Sequence, residues 1–309
     1  MIPRFEARAG LFGEWRGAVI ALGNFDGFHL GHQAVVGRAI ARARSEGRKA
    51  IVATFDPHPM RYFRPDTPWF RLTTLGQRQR LFGAAGADAM LVFGFDRDLA
   101  ETGAAAFMAD LLRERLGAGG IVTGGDFTFG HKRGGGAALL SAEGNRHGFW
   151  HEAVGPVIDG GGAVSSSRIR AALVAGDPVE AERLMTRPFA VEGVVQHGDK
   201  NGRLLGYPTA NLDMGHYLRP AYGVYAVTAR LADEREVKGA ANLGIRPQFD
   251  PPKELLEPHF FDFSGDLYGQ RIEVALRHFL RREARFDGLD ALKAQMAADC
   301  VRATELLGE

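Results

Sequence analysis

The order in which strand-like and helix-like segments follow one another constrains the fold of this 309-residue chain more than any other feature. From residue 18 to 157, apolar runs rich in β-branched residues alternate with helical patterns; the runs are AVIALG (18–23), AIVATF (50–55), AMLVF (89–93) and IVTGG (121–125). Such alternation is typical of a parallel sheet with helices on both faces. We therefore expect a ligand site beyond the carboxyl ends of these strands.

The pattern changes after residue 164. Two short helical patterns occupy residues 164–185, separated by Gly-Asp-Pro. From Phe189 to Leu280, strand-like runs alternate with turns rich in Gly, Pro and Asp, which predicts a small antiparallel β-barrel. Apolar residues at helical spacing near the C-terminus predict a final helix that covers the barrel. We predict two domains, residues 1–185 with a helical linker at 164–185, and residues 186–309.

Composition limits the partners that the chain can have. Its 38 Lys and Arg residues nearly balance 37 Asp and Glu residues, a net charge of +1, whereas binding to nucleic acid or to an anionic membrane needs a concentrated excess of cations. The single cysteine, Cys300, excludes an intrachain disulfide and a cysteine-based zinc site. No stretch approaches the roughly 20 apolar residues that span a bilayer, and the N-terminus lacks a signal-peptide core. We expect a cytoplasmic protein of undetermined oligomeric state that binds neither nucleic acid nor membrane.

The loop GNFDGFHLGH (23–32) places two histidines three positions apart where a strand gives way to a helix. His29 and His32 can therefore point to one side of a helix N-terminus, where backbone N–H groups and the helix dipole bind phosphate. Two imidazoles there add donors to the charge that builds on an α-phosphate during in-line displacement, and Gly31 leaves room for a nucleotide. The pattern alone also fits incidental helix-start residues or half of a metal site.

A second polar motif, SSSRIR (165–170), places three serines before a helical pattern whose first turn carries Arg168 and Arg170. Serine is a good N-cap residue, so a well-capped helix is the simplest explanation. In the alternative, the hydroxyls of Ser166 and Ser167 and the guanidinium of Arg170 hold a pyrophosphate leaving group, because Arg matches phosphate oxygens bidentately. The histidine motif about one domain earlier favours this second interpretation.

The second half of the chain contains a Gly-rich segment, GDKNGRLLGYPTANL (198–212). Gly202 and Gly206 allow the backbone to approach phosphates closely. The Thr209 hydroxyl and the Asn211 side-chain carbonyl are hard oxygen ligands of the kind that Mg²⁺ prefers. A simple hairpin turn fits the glycines equally well. Neither a P-loop nor a Rossmann glycine pattern occurs, so those two nucleotide sites are not expected.

Taken together, these motifs resemble those of the bifunctional bacterial riboflavin kinase/FMN adenylyltransferase family, also called FAD synthetases, over nearly the whole chain. The similar segments are GNFDGFHLGH (a His-x-Gly-His nucleotidyltransferase motif), TFDPHP (54–59), GGDFTFGHKRGG (124–135, a flavin-side loop), SSSRIR (a Ser-Ser-Thr-x-x-Arg motif), the flavokinase signature Pro-Thr-Ala-Asn (208–211), NLGIRP (242–247) and LLEPHFFDFSGDLYG (255–269). The chain departs from the usual family residues at Ser167, Gly136, Gln248 and Pro258.

The resemblance implies a nucleotidyltransferase-type α/β domain followed by a flavokinase-type barrel. The second domain would phosphorylate riboflavin to FMN, and the first would transfer AMP from ATP to FMN, giving FAD and pyrophosphate, with Mg²⁺ and ATP used in both reactions. Alternatively, the chain retains only one activity, or it is a flavin- or nucleotide-binding regulator on inactive domains. The apparent retention of chemical residues in both domains favours the bifunctional enzyme.

The same resemblance extends the set of candidate site residues. It adds ligand contacts in three loops, which involve Gly23, Phe25, Asp26, Asp126 and Arg246, and two rings that are candidates for stacking on an isoalloxazine, Phe127 and Phe129. Glu257 occupies the family's Glu-x-His position and is the predicted base for the ribityl hydroxyl. Its rivals are three neighbouring acids, Glu254, Asp262 and Asp266.

Overall fold

A computed structural model of the chain describes residues 1–197, 206–246 and 253–308. The chain forms two compact units. The first comprises Met1–Pro68 and Thr73–Ser165, and the second comprises Trp69–Leu72 and Ser166–Glu309. The helices predicted at 164–185 belong almost entirely to the second compact unit. The predicted domain boundary between residues 185 and 186 stays a prediction.

The first unit is built on a parallel sheet. Its strands are β1 (Arg4–Glu6), β2 (Val19–Leu22), β3 (Ala50–Asp56), β4 (Ala89–Gly94), β5 (Gly120–Gly124) and β8 (Trp150–Val154), and two-residue strands form the pairs β6 (Thr128–Phe129) with β7 (Gly135–Gly136) and β9 (Ile158–Asp159) with β10 (Gly162–Ala163). The large sheet has the order β1-β4-β3-β2-β5-β8, with every neighbouring pair parallel. The four apolar runs of the sequence form β2 to β5, which confirms the predicted sheet.

Helices cover both faces of this sheet. They are α1 (Leu30–Ser45), α2 (Pro59–Phe63), α3 (Leu75–Ala84), α4 (Arg97–Glu101), α5 (Ala104–Ala106), a π-helix (Phe107–Arg115) and α6 (Ala137–Glu143). Successive residues of β2 enter different cores: Ile20 packs in a cluster with Phe107, whereas Val19 packs in a cluster with Val36 and Phe82. This alternation is what a sheet buried on both faces requires.

The second unit begins with two helices and continues as an antiparallel sheet. Its elements are α7 (Ser166–Ala175), α8 (Pro178–Met185), β11 (Phe189–Val194), β12 (Leu212–Asp213), β13 (Gly223–Arg230), β14 (Glu236–Arg246), β15 (Lys253–Phe260), β16 (Arg271–Arg282) and α9 (Leu289–Leu307). The strand order is β11-β16-β13-β14-β15-β12. The Gln196 N–H donates to the Asn211 carbonyl at 2.9 Å, which joins the two edges of the sheet into a nearly closed barrel and confirms the predicted architecture.

The C-terminal helix α9 packs on the barrel as predicted. Ala303 lies in one buried cluster with Ala226 and Ala240. The Arg281 guanidinium donates to both oxygens of the Asp299 carboxylate at 2.7–3.1 Å, and Asp299 is only 7% exposed. A carboxylate on the buried face of α9 is therefore balanced by a cation at the end of β16.

We predict that a fragment of residues 186–309 is less stable than a fragment of residues 166–309. The shorter fragment lacks both α7 and α8, and the Leu184 and Met185 side chains of α8 are fully buried. Exposing the surface that two such side chains cover costs about 3–6 kcal/mol. Urea unfolding followed by circular dichroism measures the difference. Equal free energies of unfolding would show that α7 and α8 add nothing to the core of the second unit.

Candidate functional site

His29 ends the loop after β2 and caps α1. Its Nδ1 accepts a hydrogen bond from the His32 backbone N–H at 3.3 Å, so the neutral ring carries its proton on Nε2. The two imidazoles stack, with ring centroids 3.6 Å apart and planes 19° apart. His29 is buried and His32 is half-buried. The structure thus brings the two predicted histidines together at a helix N-terminus.

The loop that leads to His29 is held by its own buried side chains. Phe25 lies in the core with its ring edge-on to His32, centroids 5.3 Å apart. The buried Asp26 carboxylate accepts hydrogen bonds from the Thr73 N–H at 2.9 Å and from the Thr73 hydroxyl at 3.1 Å. The same hydroxyl accepts a hydrogen bond from the Gly27 N–H at 3.0 Å. Phe25 and Asp26, which the resemblance linked to ligand contacts, therefore use their side chains to hold the loop.

Two glycines of this loop lie in tightly packed surroundings. A Cβ atom on Gly31 would lie 3.2 Å from the His29 ring and 3.3 Å from the Val164 carbonyl oxygen. A Cβ atom on Gly23 would lie 3.0 Å from the Phe25 ring. A side chain at position 31 would therefore need a small shift of His29 or of the backbone at Val164, and the role of Gly31 in leaving room for a nucleotide stays a prediction.

A buried cation lies at the base of the same loop. Arg78 of α3 is 3% exposed, and its Nη1 donates to the Asn24 carbonyl at 3.1 Å and to the Thr54 hydroxyl at 2.7 Å. The Thr54 hydroxyl donates to the same carbonyl at 2.7 Å. Arg78 therefore connects the carboxyl ends of β2 and β3. Sequence reasoning missed this residue, because an arginine inside a helical pattern looks like any solvent-exposed one.

The predicted flavin-side loop forms a hairpin after β5. Strands β6 and β7 pair antiparallel, with Phe129 opposite Gly135. Phe129 is 6% exposed and packs 5.1 Å from the Phe107 ring. Phe127 is half-buried and stacks on Phe129 at 5.9 Å, while Asp126 is exposed. Because β5 lies next to β2 in a parallel sheet, this hairpin and the histidine loop leave the same edge.

The Ser-Arg motif belongs to the second unit except for Ser165, which ends the first. Helix α7 begins at Ser166, so the expectation that all three serines precede the helix is wrong: Ser166 and Ser167 lie in its first turn. Arg168 donates to the Glu180 carboxylate at 2.6 Å, and hydrogen bonds from Arg183 and Arg168 lower the pKa of Glu180. Arg170 Nε donates to the Phe70 carbonyl at 2.8 Å, within the Trp69–Leu72 segment of the same unit.

In the barrel, strand register brings the predicted kinase residues to one face. Leu212 of β12 lies opposite Leu256 of β15, so the preceding residue, Asn211, lies opposite Glu257. The Ala210 N–H donates to the carbonyl of the residue after Glu257 at 2.9 Å, which continues this pairing. Directly opposite residues of neighbouring strands share a face of the sheet.

The same face carries a further polar side chain, and Thr209 lies two positions before Asn211 in the sequence. Asn242 of β14 lies opposite Glu257 on its other side. The oxygens of Thr209 and Asn211 are hard donors, so these two residues fit Mg²⁺. In the residues that the structure describes, no group of three or more His, Cys, Asp or Glu side chains could hold a metal ion.

The rival acid Glu254 is committed to a different contact. It accepts a hydrogen bond from Arg219 Nε at 2.6 Å and another from the Tyr222 hydroxyl. Although burial opposes ionisation, these two donors hold the pKa of Glu254 below its ordinary value. Burial and the contact with Glu254 raise the pKa of Tyr222 to about 12. A carboxylate stabilised as an anion in this way is a weak proton acceptor.

Some predicted residues lie outside the described part of the chain. They are Gly202, Gln248 and the side chain of Arg246. Gly206 is described and has a φ of +88°, a backbone conformation that glycine adopts without strain. Across residues 1–197, 206–246 and 253–308, none of the helices has the length and apolar character needed to cross a membrane.

Two protein families match the chain, one in each half. Residues 12–168 match the FAD synthetase family, and residues 185–307 match the riboflavin kinase family. The chain also resembles a crystal structure described as a macrolide-efflux protein from Streptococcus pneumoniae, with a TM-score of 0.86 and 30% identity, covering 96% of this chain and 97% of that one.

Curated relatives match over nearly the whole length. The chain is 39% identical over 292 residues to the bifunctional riboflavin kinase/FMN adenylyltransferase of Escherichia coli strain K12, covering 94% of this chain and 93% of the relative. It is 40% identical over 294 residues to the protein of the same name from Pseudomonas fluorescens, covering 95% and 94%. The chain therefore belongs to the bifunctional riboflavin kinase/FMN adenylyltransferase family.

Proposed function

We propose that this chain phosphorylates riboflavin to FMN with ATP and then transfers AMP from a second ATP to FMN, giving FAD and pyrophosphate. The observation that carries the proposal is that each unit has its own set of reactive side chains. The first unit stacks His29 on His32 at the start of α1. The second unit places Asn211 opposite Glu257 in the barrel. The net charge of +1 and the single cysteine support small-molecule substrates in the cytoplasm, without a nucleic-acid partner.

In adenylyl transfer, a phosphate oxygen of FMN forms a bond to the α-phosphorus of ATP, and the bond from that phosphorus to the β-phosphate oxygen breaks. Negative charge builds on the α-phosphate during this displacement. The first turn of α1 offers backbone N–H groups, and His29 offers its Nε2–H as a further donor. Phe127 is the half-buried ring that we assign to the flavin, with Phe129 as its buried support. The role of Ser166, Ser167 and Arg170 in holding pyrophosphate stays a prediction from the sequence.

In the kinase reaction, the 5′-hydroxyl of riboflavin attacks the γ-phosphorus of ATP and ADP leaves. Glu257 accepts the hydroxyl proton as the new P–O bond forms. Thr209 and Asn211 are the residues that we assign to Mg²⁺, and a bound Mg²⁺ offsets the charge of the phosphate groups. Glu254 is unsuited to the role of base because Arg219 and Tyr222 already stabilise its anion.

We predict that His29→Asn removes FAD formation while FMN formation continues. Asparagine keeps a side-chain acceptor for the helix cap but loses the Nε2–H donor. Loss of one such donor lowers the rate by about 100- to 1,000-fold. Chromatography of the products from riboflavin and MgATP measures both activities, with His29→Ala as a second variant that also loses the cap. The parent should yield FMN and FAD. Equal loss of both products in His29→Asn would contradict a separate adenylyl site.

We predict that Glu257→Gln slows riboflavin phosphorylation by about 10²- to 10⁴-fold, the usual contribution of a general base. The Mg²⁺ dependence and the adenylylation of FMN should stay nearly unchanged. The matched control is Glu254→Gln on the same strand, which should lower the free energy of unfolding through loss of the Arg219 contact without a comparable fall in rate. Phosphorylation at the parent rate by Glu257→Gln would remove Glu257 from the mechanism.

We predict that Arg78→Met lowers kcat/KM for FMN adenylylation by about 10- to 100-fold, the effect of losing a hydrogen bond from a charged donor. Arg78 acts as a positioning residue, because it contacts the loop that carries the histidines. Arg78→Lys keeps the charge and one donor, so it should recover part of the activity. Riboflavin phosphorylation serves as the internal control. An unchanged adenylylation rate in Arg78→Met would show that the loop holds its shape without this contact.

A further inference from the structure

The two residues that we assign to Mg²⁺ lie in a short segment of the barrel, residues 208–211. This segment lies outside the strands, immediately before β12. The Asn211 carbonyl accepts a hydrogen bond from the Gln196 N–H at 2.9 Å, on the side of β11. The Ala210 N–H donates to the Pro258 carbonyl at 2.9 Å, on the side of β15. A backbone hydrogen bond on each side thus connects the segment to the barrel.

A proline at position 258 limits how this segment pairs with β15. In an antiparallel ladder, two residues of a hydrogen-bonded pair each donate an N–H to the carbonyl of the other. The Pro258 carbonyl accepts from Ala210, so an N–H at position 258 would point to the Ala210 carbonyl. Proline has no N–H. One of the two hydrogen bonds of this pair therefore cannot form.

The side chain of the next residue, His259, supplies a donor to the same segment. Its Nδ1 lies 2.9 Å from the carbonyl oxygen of Pro208. Because a carbonyl oxygen only accepts hydrogen bonds, Nδ1 carries the proton and donates it. Pro208 has no N–H of its own, so its carbonyl is the backbone group through which it can be held. His259 therefore adds a hydrogen bond to a pairing that a proline has weakened.

The imidazole of His259 donates from a defined position. Its backbone lies in β15, opposite Ala240 of β14. Its half-buried ring packs edge-on against two aromatic rings, with centroid distances of 5.2 Å to Tyr207 and 6.1 Å to Phe261. The sheet fixes the backbone of His259, and the aromatic neighbours restrict the rotation of its ring.

The hydrogen bond from His259 acts directly on the backbone of Thr209. The Pro208 carbonyl and the Thr209 N–H belong to one planar peptide group, so fixing the carbonyl fixes the plane from which Thr209 continues. The peptide group on the other side of Thr209 carries the Ala210 N–H, which donates to Pro258. Thr209 thus lies between two peptide groups that are both held by β15. Such control suits a Mg²⁺ ligand, because Mg²⁺ requires nearly ideal octahedral geometry.

We propose that His259 is a positioning residue for riboflavin phosphorylation: its Nδ1–H takes the place of a missing backbone donor and holds Thr209 and Asn211 in the conformation that binds Mg²⁺. This inference rests on the proposed function. Without the donor, the segment would occupy other conformations for part of the time. The apparent affinity for Mg²⁺ would then fall in proportion to the fraction of molecules in the competent conformation.

The test compares variants of His259 that differ in the donor. His259→Leu removes the donor and keeps an apolar side chain, whereas His259→Asn keeps an N–H donor close to the position of Nδ1. In His259→Leu, we expect the Mg²⁺ concentration for half-maximal riboflavin phosphorylation to rise by about 3- to 10-fold, the effect of losing one hydrogen bond. His259→Asn should stay within about twofold of the parent, because its donor is retained. FMN adenylylation in the same samples is the internal control.

A second measurement needs neither metal nor substrate. Amide hydrogen exchange, followed by mass spectrometry, reports how often a backbone segment opens. In His259→Leu, exchange in residues 208–212 should become about 3- to 10-fold faster, again the effect of one hydrogen bond, whereas β13 should exchange as in the parent. The matched control His278→Leu changes a half-buried histidine of β16 and should leave both the Mg²⁺ requirement and the exchange of this segment unchanged.

A double variant tests whether the side-chain donor replaces the backbone donor. Alanine at position 258 has an N–H, which the register directs to the Ala210 carbonyl. Pro258→Ala/His259→Leu should therefore recover most of the Mg²⁺ affinity that His259→Leu loses. Pro258→Ala alone should keep the Mg²⁺ requirement of the parent, because His259 already holds the segment.

Several outcomes overturn the inference. An unchanged Mg²⁺ requirement in His259→Leu does so, as does a loss in His259→Asn equal to that in His259→Leu. Equally faster exchange in residues 208–212 and in β13 would show that His259 stabilises the barrel as a whole and does not position one segment. A double variant no better than His259→Leu would show that the imidazole does not replace a backbone donor. Absence of FMN formation by the parent protein would instead overturn the proposed kinase function, and the inference with it.

Discussion

Backbone pairing between β2 and β5 determines where the reactive loops of the first unit lie. The two strands run parallel, with Ile20 opposite Ile121, so their carboxyl ends meet at one edge. The histidine loop leaves one strand and the hairpin leaves the other. Side chains that are about a hundred residues apart in sequence are thereby placed at neighbouring positions, as expected for ligand sites in open parallel sheets. The hydrogen bonds of Thr73 with Asp26 and of Arg78 with Asn24 then hold the histidine loop in its conformation at this edge of the sheet.

In the second unit, the register of the paired strands brings side chains from distant parts of the sequence together. Asn211, Glu257 and Asn242 lie side by side because three strands pair without a shift at this level. A slip of one residue in β15 would turn Glu257 to the opposite face and bring its apolar neighbour Leu256 out of the core. The hydrophobic pattern that buries Leu256 therefore also orients the carboxylate beside it. The alternation of side-chain direction along β15 therefore fixes both the packing of Leu256 and the orientation of Glu257.

The sequence predicts the elements and the reactive residue types well, but it predicts burial within loops poorly. The strands of both units and the histidine pair follow from local patterns. Phe129 in the hairpin looks like a ligand-stacking ring until the structure buries it against Phe107. The resemblance already favours Glu257 over Glu254 in the sequence, and the contacts of Glu254 with Arg219 and Tyr222 add a physical reason against Glu254 as the base. Each of these outcomes depends on contacts between distant segments, which periodicity and spacing do not encode.

The hydrogen bond that caps α1 limits what the His29 ring can do in proton transfer. Since Nδ1 of His29 accepts the His32 N–H, the ring can offer a ligand only its Nε2–H, and taking up a proton at Nδ1 would remove the cap. His29 is therefore suited to donating a hydrogen bond and unsuited to accepting a proton. Adenylyl transfer needs no proton acceptor, because a phosphate monoester near neutral pH is already an anionic nucleophile. Phosphorylation of a neutral hydroxyl does need one, and Glu257 of the barrel is the residue that we propose for this role.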